Sequence, residues 1–127
     1  MTKKTLSLLS ALAWLTLITV LLTLPGSAIP KENWLDAIWA DKWVHIGLFG
    51  VLVFLSCYAV YKMGVAKESL EKYFIAITLL AIAYGTGMEF VQKYWVNNRS
   101  FDVLDIAADS IGSLLGWAFS RRKYIKK

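Results

Sequence analysis

The sequence predicts an all-α protein, a bundle of four transmembrane helices with both termini in the cytoplasm. The first observation is composition: 57% of the 127 residues are hydrophobic and only 18% are charged, a balance that is unusual for a soluble protein. The second is distribution, because the apolar residues gather in runs of about 18 to 20, long enough to cross about 30 Å of hydrocarbon. The third is that most lysines and arginines flank these runs. Together these observations indicate one membrane domain over residues 1–127.

Four apolar segments are the predicted membrane spans. The first follows Lys3 and Lys4 and stops before Pro25, which disfavours continuation of the helix beyond the preceding residue. The second begins at Trp43, the third follows a segment rich in lysine and glutamate, and the fourth carries aspartates in its first turns. No internal repeat is evident, and the loops are too short for a second domain. The predicted spans are residues 5–24, 43–61, 73–95 and 103–120.

The positive charges predict the orientation of the chain. The amino-terminal segment, the loop between the second and third spans, and the carboxy-terminal tail hold ten of the 14 Lys and Arg residues. Lysine and arginine concentrate in the cytoplasmic segments of membrane proteins. We therefore expect both termini, and the loop after the second span, on the cytoplasmic side.

The first span has an alternative interpretation as a secretory signal peptide. Lys3 and Lys4 precede the apolar run, and the small residues Gly26, Ser27 and Ala28 follow it, as they would at a cleavage site. However, the uncharged run extends over residues 5–24, which exceeds the usual 7 to 15 residues of a signal peptide core. We therefore predict a retained helix, with a mature amino terminus at Ile29 as the alternative.

With this orientation, most of the unusual polar residues fall on the outer side of the membrane. An ionisable residue inside a bilayer is costly and by default suggests function. Three of the four predicted spans contribute such residues near their outer ends, so we predict one outward-facing polar site. Its candidate binding residues are Asp41, Lys42, His45, Glu89, Gln92, Arg99, Asp102, Asp105 and Asp109.

Helical phase places the acids and small residues of the fourth span on one side. At 100° per residue, Asp105 and Asp109 share an arc with Gly112 and Gly116, whereas the large apolar residues lie off it. The two glycines form a GxxxG spacing, which lets a second helix approach closely. The stripe should therefore face the bundle. Asp109, the deepest acid, needs a proton, a cation, a water-filled crevice, or one of the basic residues Arg99, Lys42 and His45 nearby.

Four motifs occur in order along the chain: Asp41-Lys42-x-x-His45, Glu89-x-x-Gln92, Arg99-Ser-Phe-Asp102-x-x-Asp105, and Gly112 with Gly116. In this order they resemble the VanZ-like family. The resemblance covers about residues 41 to 117 and implies a small multi-spanning protein of the bacterial cytoplasmic membrane and cell envelope. The founding member of that family is associated with low-level resistance to the glycopeptide teicoplanin. The family pattern commonly has asparagine at the position of Asp109, so this chain adds a potential negative charge.

Four functions remain open at the level of the sequence. The polar residues could form a purely structural network in a membrane scaffold. They could bind a lipid headgroup, a lipid-linked cell-wall precursor or a glycopeptide-related ligand, with Lys42 and Arg99 meeting a phosphate. They could support a metal-assisted membrane hydrolase or phosphotransferase, because imidazole and carboxylate groups suit a divalent ion. Proton or ion transport is the fourth, although the charges do not continue across the membrane.

Partners and cofactors are expected to be few. Membrane lipids are the expected partners, and a lipid-linked envelope precursor is a further candidate. Nucleic acid is not expected, because no basic stripe interleaved with aromatics occurs despite the net charge of +5. No catalytic residue is assigned, and neither a resident metal nor another cofactor is expected, since no HExxH or phosphate-binding glycine loop is present. Residues 31–40 have the spacing of a short surface helix, either a connector or a lid.

Overall fold

Four long α-helices make up the part of the protein that its computed structural model describes, residues 2–24, 40–97 and 101–125, with the backbone alone at residues 40 and 41. The prediction of an all-helical chain with four apolar helices is confirmed, since each is long and apolar enough to cross a membrane. The predicted surface helix at residues 31–40 lies almost entirely outside the described residues. The helices are α1 (Lys3–Thr23), α2 (Ala40–Lys62), α3 (Lys67–Trp95) and α4 (Val103–Tyr124).

Side-chain caps mark the starts of two helices. Thr2 accepts a hydrogen bond from the backbone N–H of Thr5, and Asp102 accepts one from Leu104 at 2.9 Å. Such caps satisfy backbone donors that have no partner inside the helix. α3 begins at Lys67, before the predicted span. The prediction missed its first turns because they are charged, and a run of apolar residues does not include them. The α4 helix likewise extends beyond its apolar part, to Tyr124.

The closest packing joins α2 to α4. A Cβ atom added at Gly112 would lie 2.3 Å from the carbonyl oxygen of Ile46, and one added at Gly116 would lie 2.5 Å from that of Gly50. Any side chain at these two positions would collide with the backbone of α2. The glycines therefore allow backbone-to-backbone contact, the arrangement by which small residues bring membrane helices together.

The α1 helix packs mainly against α2 and meets α3 at a few polar links. Trp14 donates its indole N–H to the Leu48 carbonyl of α2 at 2.9 Å, and the hydroxyls of Thr19 and Tyr84 are hydrogen-bonded between α1 and α3. These links lie among apolar neighbours, where a polar group without a partner costs several kcal/mol. They therefore fix α1 at one depth against the other helices.

Aromatic rings fill the end of the bundle at which α2 and α4 finish and α3 starts. Tyr124 stacks on Tyr61 with ring centroids 4.5 Å apart and also contacts Phe54, Tyr58 and Phe74. At the same end, Nε of Arg121 lies 2.5 Å from Oε1 of Glu71. The turn from α2 to α3 passes through Gly64, whose φ of 79° favours glycine.

Large apolar side chains cover the outside of all four helices. Leu80 and Leu115, for example, are 70% and 58% exposed although they sit in the middle of long helices. A soluble protein rarely exposes a continuous apolar surface of this kind. Lipid tails are the natural cover for it, because a bilayer solvates leucine as well as a protein core does.

Candidate functional site

Six charged or titratable side chains converge where α2 begins, α3 ends and α4 begins. This polar cluster lies at the end of the bundle opposite the aromatic rings. The α2 helix contributes a cation and an imidazole, α3 contributes one carboxylate, and the start of α4 contributes three. The polar cluster consists of Lys42, His45, Glu89, Asp102, Asp105 and Asp109.

Lys42 joins α2 to the start of α4. Its Nζ atom donates to Oδ2 of Asp102 and to Oδ1 of Asp105, both at 2.7 Å. Charge-assisted hydrogen bonds of this length are stronger than neutral ones. Both carboxylates reach the ammonium because they are three residues apart, one at the helix cap and one in the first turn.

His45 lies one turn deeper, between two aspartates. Its Nδ1 atom is 2.6 Å from Oδ1 of Asp109, a hydrogen bond in which the imidazole N–H donates to the carboxylate. Its Nε2 atom is 3.7 Å from Oδ2 of Asp105, which is too long for a hydrogen bond but close enough for attraction when the ring is protonated. The imidazole is therefore the described group that partners the deepest acid.

Glu89 connects α3 to the cluster through the backbone of α4. Its Oε1 atom accepts the N–H of Asp102 at 3.0 Å. The side chain of Asp102 also caps α4 and pairs with Lys42. This residue is the junction at which the three helices of the cluster meet.

Two carboxyl oxygens of the cluster have no hydrogen-bond partner among the described residues. They are Oε2 of Glu89, whose residue is 0% exposed, and Oδ2 of Asp109, whose residue is 1% exposed. A buried polar atom without a partner is costly, so native structures seldom leave one unexplained. The cluster therefore retains accepting capacity that the described side chains do not use.

Exposure falls steadily from the surface of the cluster to its depth. The side chain of Asp102 is 38% exposed, that of Asp105 is 11% exposed, and Asp109 is almost completely buried. The Lys42 ammonium bonded to Asp102 holds the pKa of that carboxyl below its ordinary value, although partial burial opposes the effect. The cluster therefore extends from a partly exposed carboxylate at the surface to a buried one inside the bundle.

Gly85 makes room for the deepest carboxylate. A Cβ atom at this position would lie 2.6 Å from Oδ2 of Asp109. Gly85 is one turn from Glu89 on α3, so one face of that helix presents an open backbone and then an acid to α4. The Asp109 carboxylate can therefore be buried at this depth because Gly85 has no side chain.

The remaining predicted site residues have different positions. Gln92 is buried, and its Nε2 atom donates to the Leu22 carbonyl of α1 at 2.9 Å, so its described hydrogen bond fixes α1 and does not reach a carboxylate. Gly112 and Gly116 lie on the α2 backbone below the cluster. The side chain of Asp41 and the whole of Arg99 lie outside the described residues.

Reasoning from the sequence did not identify three contributors. Gly50 presents its carbonyl to α4, Ile46 does the same one turn earlier, and the Leu22 carbonyl receives Gln92. The carbonyls leave no trace in the sequence, because any residue supplies one. The spacing of Gly50 after Gly47 was a usable signal, but only packing shows which of the two faces α4.

A metal site would need several of the cluster's donors around one point. Among the residues that the structure describes, no group of three or more His, Cys, Asp or Glu side chains is arranged to hold a metal ion. The described contacts use these oxygens and nitrogens on one another or on Lys42. The arrangement is suited to hydrogen bonding and charge recognition.

Comparison with known proteins returned one family. The family described as VanZ/LLP1 matches residues 5–124, which is nearly the whole chain and includes all four helices. No curated protein and no solved structure matches the chain. On the extent of the match, together with four helices that are apolar enough to cross a membrane, the chain belongs to the VanZ/LLP1 family of membrane proteins.

Proposed function

We propose that the polar cluster binds the headgroup of an envelope lipid or a lipid-linked cell-wall precursor at the outer face of the bacterial cytoplasmic membrane. The observation that carries this proposal is the cluster itself, which extends from the partly exposed Asp102 to the buried Asp109 inside an otherwise apolar bundle. Intramembrane carboxylates are expensive and usually mark a ligand or ion site. The partly exposed end of the cluster is where a headgroup would arrive.

The distribution of positive charge supports the outward direction of the cluster. The end of the bundle away from the cluster carries Lys62 and Lys67 at the turn between α2 and α3, and Arg121, Arg122 and Lys123 at the end of α4. Basic residues of short loops favour the cytoplasmic side. With both termini inside, the cluster faces outward, where lipid-linked precursors of the cell wall are used.

An apolar groove supports a lipid rather than a free solute as the ligand. It lies between α1 and α3 with α2 as its floor, has a volume of about 260 Å³, and is lined by Leu15, Leu52, Ile77 and Tyr84 among others. Tyr84 marks its end nearest the cluster, one turn before Met88 and Glu89 on α3. Hydrocarbon chains fill such a groove at little cost, which favours a lipid over a free solute.

Lipid retention tests the proposal directly. The wild type and an Asp105→Asn variant would be purified in a mild detergent and compared by native mass spectrometry. We expect a bound lipid in the wild type and its loss from the variant, because a neutral amide at this position cannot form the ion pair that positions Lys42. Glu71→Gln is the matched control, since Glu71 pairs with Arg121 at the opposite end. Absence of any specifically retained lipid in the wild type would contradict the proposal.

A structural scaffold is the second candidate function. It is favoured by the connectivity of the cluster, since Lys42 and His45 link α2 to α4, and Glu89 links α3 to α4. If the protein is a scaffold, the wild type should retain no lipid, and Asp105→Asn should lower the thermal stability and the abundance of the protein.

A metal that copurifies with the wild type and is lost from the Asp105→Asn variant would instead favour the metal-assisted reaction. A glycopeptide-related ligand belongs to the binding proposal and is tested by adding teicoplanin to the same preparations.

A further inference from the structure

We infer that the group recognised by the polar cluster is a primary ammonium, which donates hydrogen bonds to the unpartnered carboxyl oxygens of Glu89 and Asp109. This inference rests on the proposed function and specifies the chemical class of its ligand.

The charges of the described side chains favour a cation. Four carboxylates converge in the cluster, and the described cations are Lys42 and, when protonated, His45. Lys42 is already held by two carboxylates at 2.7 Å. An incoming phosphate would have to compete with those carboxylates for the ammonium and would be repelled by the remaining acids. A positively charged ligand meets attraction from the same groups.

The hydrogen-bonding capacity that remains is also on the acceptor side. Oε2 of Glu89 and Oδ2 of Asp109 are buried acceptors without a described donor. The Glu89 side chain is directed into the cluster, because its other oxygen accepts the N–H of Asp102. When these carboxylates are ionised they accept hydrogen bonds and do not donate them, so a partner that satisfies both oxygens supplies N–H or O–H groups. An ammonium supplies three donors and the compensating charge together.

A metal cation fits less well than an ammonium. Hard divalent ions require several oxygen ligands around one point, about six or more for calcium. No group of three or more suitable side chains has that arrangement among the described residues. An ammonium requires only separate acceptors at hydrogen-bond distance, and it can arrive attached to a lipid. Two sources share this chemistry: an ethanolamine headgroup, and the free amine of a lipid-linked peptide.

The first experiment compares lipids of different headgroup charge. Protein would be reconstituted in nanodiscs that contain equal amounts of phosphatidylethanolamine, phosphatidylcholine and phosphatidylglycerol, then released and analysed by native mass spectrometry. We expect the wild type to retain phosphatidylethanolamine preferentially. Glu89→Gln should weaken that retention at least about tenfold, the loss of a hydrogen bond to a charged group. The side-chain carbonyl of the introduced glutamine still accepts the Asp102 N–H, so the link from α3 to α4 is kept.

Two further variants keep the result interpretable. Asp109→Asn retains an oxygen for the His45 bond while it removes the charge, so it should weaken retention as Glu89→Gln does. It provides the same test if Glu89→Gln folds poorly. Glu71→Gln removes a carboxylate at the opposite end and should leave retention unchanged. Thermal unfolding of each variant shows that the compared proteins are folded.

A second arm identifies the source of the amine. A polyprenyl-linked peptide with a free lysine side chain would be offered beside the same molecule with that lysine acetylated. Retention of the free-amine form alone would support a lipid-linked peptide, and retention of phosphatidylethanolamine alone would support the phospholipid. Two results would contradict the ammonium inference while lipid binding itself remained supported. One is equal retention of the free and acetylated forms of the peptide. The other is retention of phosphatidylglycerol that is unchanged in Glu89→Gln. Failure of the wild type to retain any lipid would overturn both proposals.

Discussion

Asp109 is the most deeply buried aspartate of the polar cluster. One of its carboxyl oxygens is bonded to His45, and the other lies against Gly85 without a described partner. Reasoning from the sequence identified its depth and its need for compensation. It offered Arg99, Lys42 and His45 equally as partners, because depth along a helix does not specify which side chain of a neighbouring helix reaches it.

Substitution of Gly85 should disturb Asp109 specifically. In Gly85→Ala, the new methyl group would lie 2.6 Å from Oδ2, so the carboxylate has to move and the His45 bond is strained. We expect a loss of about 1 to 3 kcal/mol in the free energy of unfolding, measured by circular dichroism in detergent. Gly87→Ala is the control, because a Cβ atom there meets open space and should be neutral or stabilising.

A double-mutant cycle separates this contact from a general helix effect. Once Asp109 is replaced by alanine, Gly85→Ala should cost less, because the oxygen at 2.6 Å has gone and only the Cβ atom at 3.0 Å remains. Equal destabilisation by Gly85→Ala in the presence and absence of the Asp109 side chain would show that the carboxylate is not the obstacle.

Asp102 makes folding sensitive to acid. Its hydrogen bond with Lys42 lowers the pKa of the folded carboxyl below that of the unfolded chain, so folding favours the ionised form. The contribution is complete above the ordinary pKa of about 4 and is lost as the pH falls through the lower folded value. The unfolding temperature of the wild type should therefore drop below about pH 4 more steeply than that of Asp102→Asn, in which asparagine still caps α4. Parallel pH profiles for the two proteins would contradict this expectation.

At the scale of the element, the seam between α2 and α4 is set by glycine. Gly112 and Gly116 are apparent in the sequence from their spacing, whereas the spacing of Gly47 and Gly50 does not show which of the two meets the backbone of α4. The four helices themselves were predictable, since hydropathy reports length and burial in lipid. The start of α3 and the end of α4 were not, because their charged turns are stabilised by contacts between helices such as that of Arg121 with Glu71.

Gly112→Ala should separate these two helices. The added methyl group would lie 2.3 Å from the Ile46 carbonyl oxygen, a backbone atom that cannot rotate away. We expect destabilisation of about 1 to 3 kcal/mol, or more where the helices cannot adjust. Thermal unfolding of the purified protein measures it. The Gly47→Ala variant on α2 serves as the comparison, since no atom lies within 4 Å of its added methyl group, and equal stability of the two variants would refute the close approach.

At the scale of the whole molecule, charge divides the bundle into two unlike ends. Acids gather at the end where α2 starts, and lysines and arginines gather at the end where α4 finishes. Hydropathy and charge counting are sufficient to predict this polarity. The contacts inside the acidic end depend on how the helices rotate about their axes, which the sequence constrains only through the positions of small residues.

Reporter fusions test the proposed orientation. Alkaline phosphatase, which is active only outside the cytoplasm, should be inactive when fused after Lys127 and active when fused after Asn97, which follows α3. A cytoplasmic fluorescent reporter at the same two positions should give the reverse pattern and controls for expression. Active phosphatase at the carboxy terminus would invert the topology and place the polar cluster on the inner side.

The glycine seam also has a mechanical consequence. α2 and α4 are joined along their length, by Lys42 at one end, by touching backbones in the middle, and by the stacked rings of Tyr61 and Tyr124 at the other. Together they carry five of the six groups of the polar cluster. The sixth, Glu89, is on α3, so its distance from Asp109 depends on how α3 is seated against this pair of helices. Two links set that seating, Glu89 with the Asp102 backbone at one end and Glu71 with Arg121 at the other.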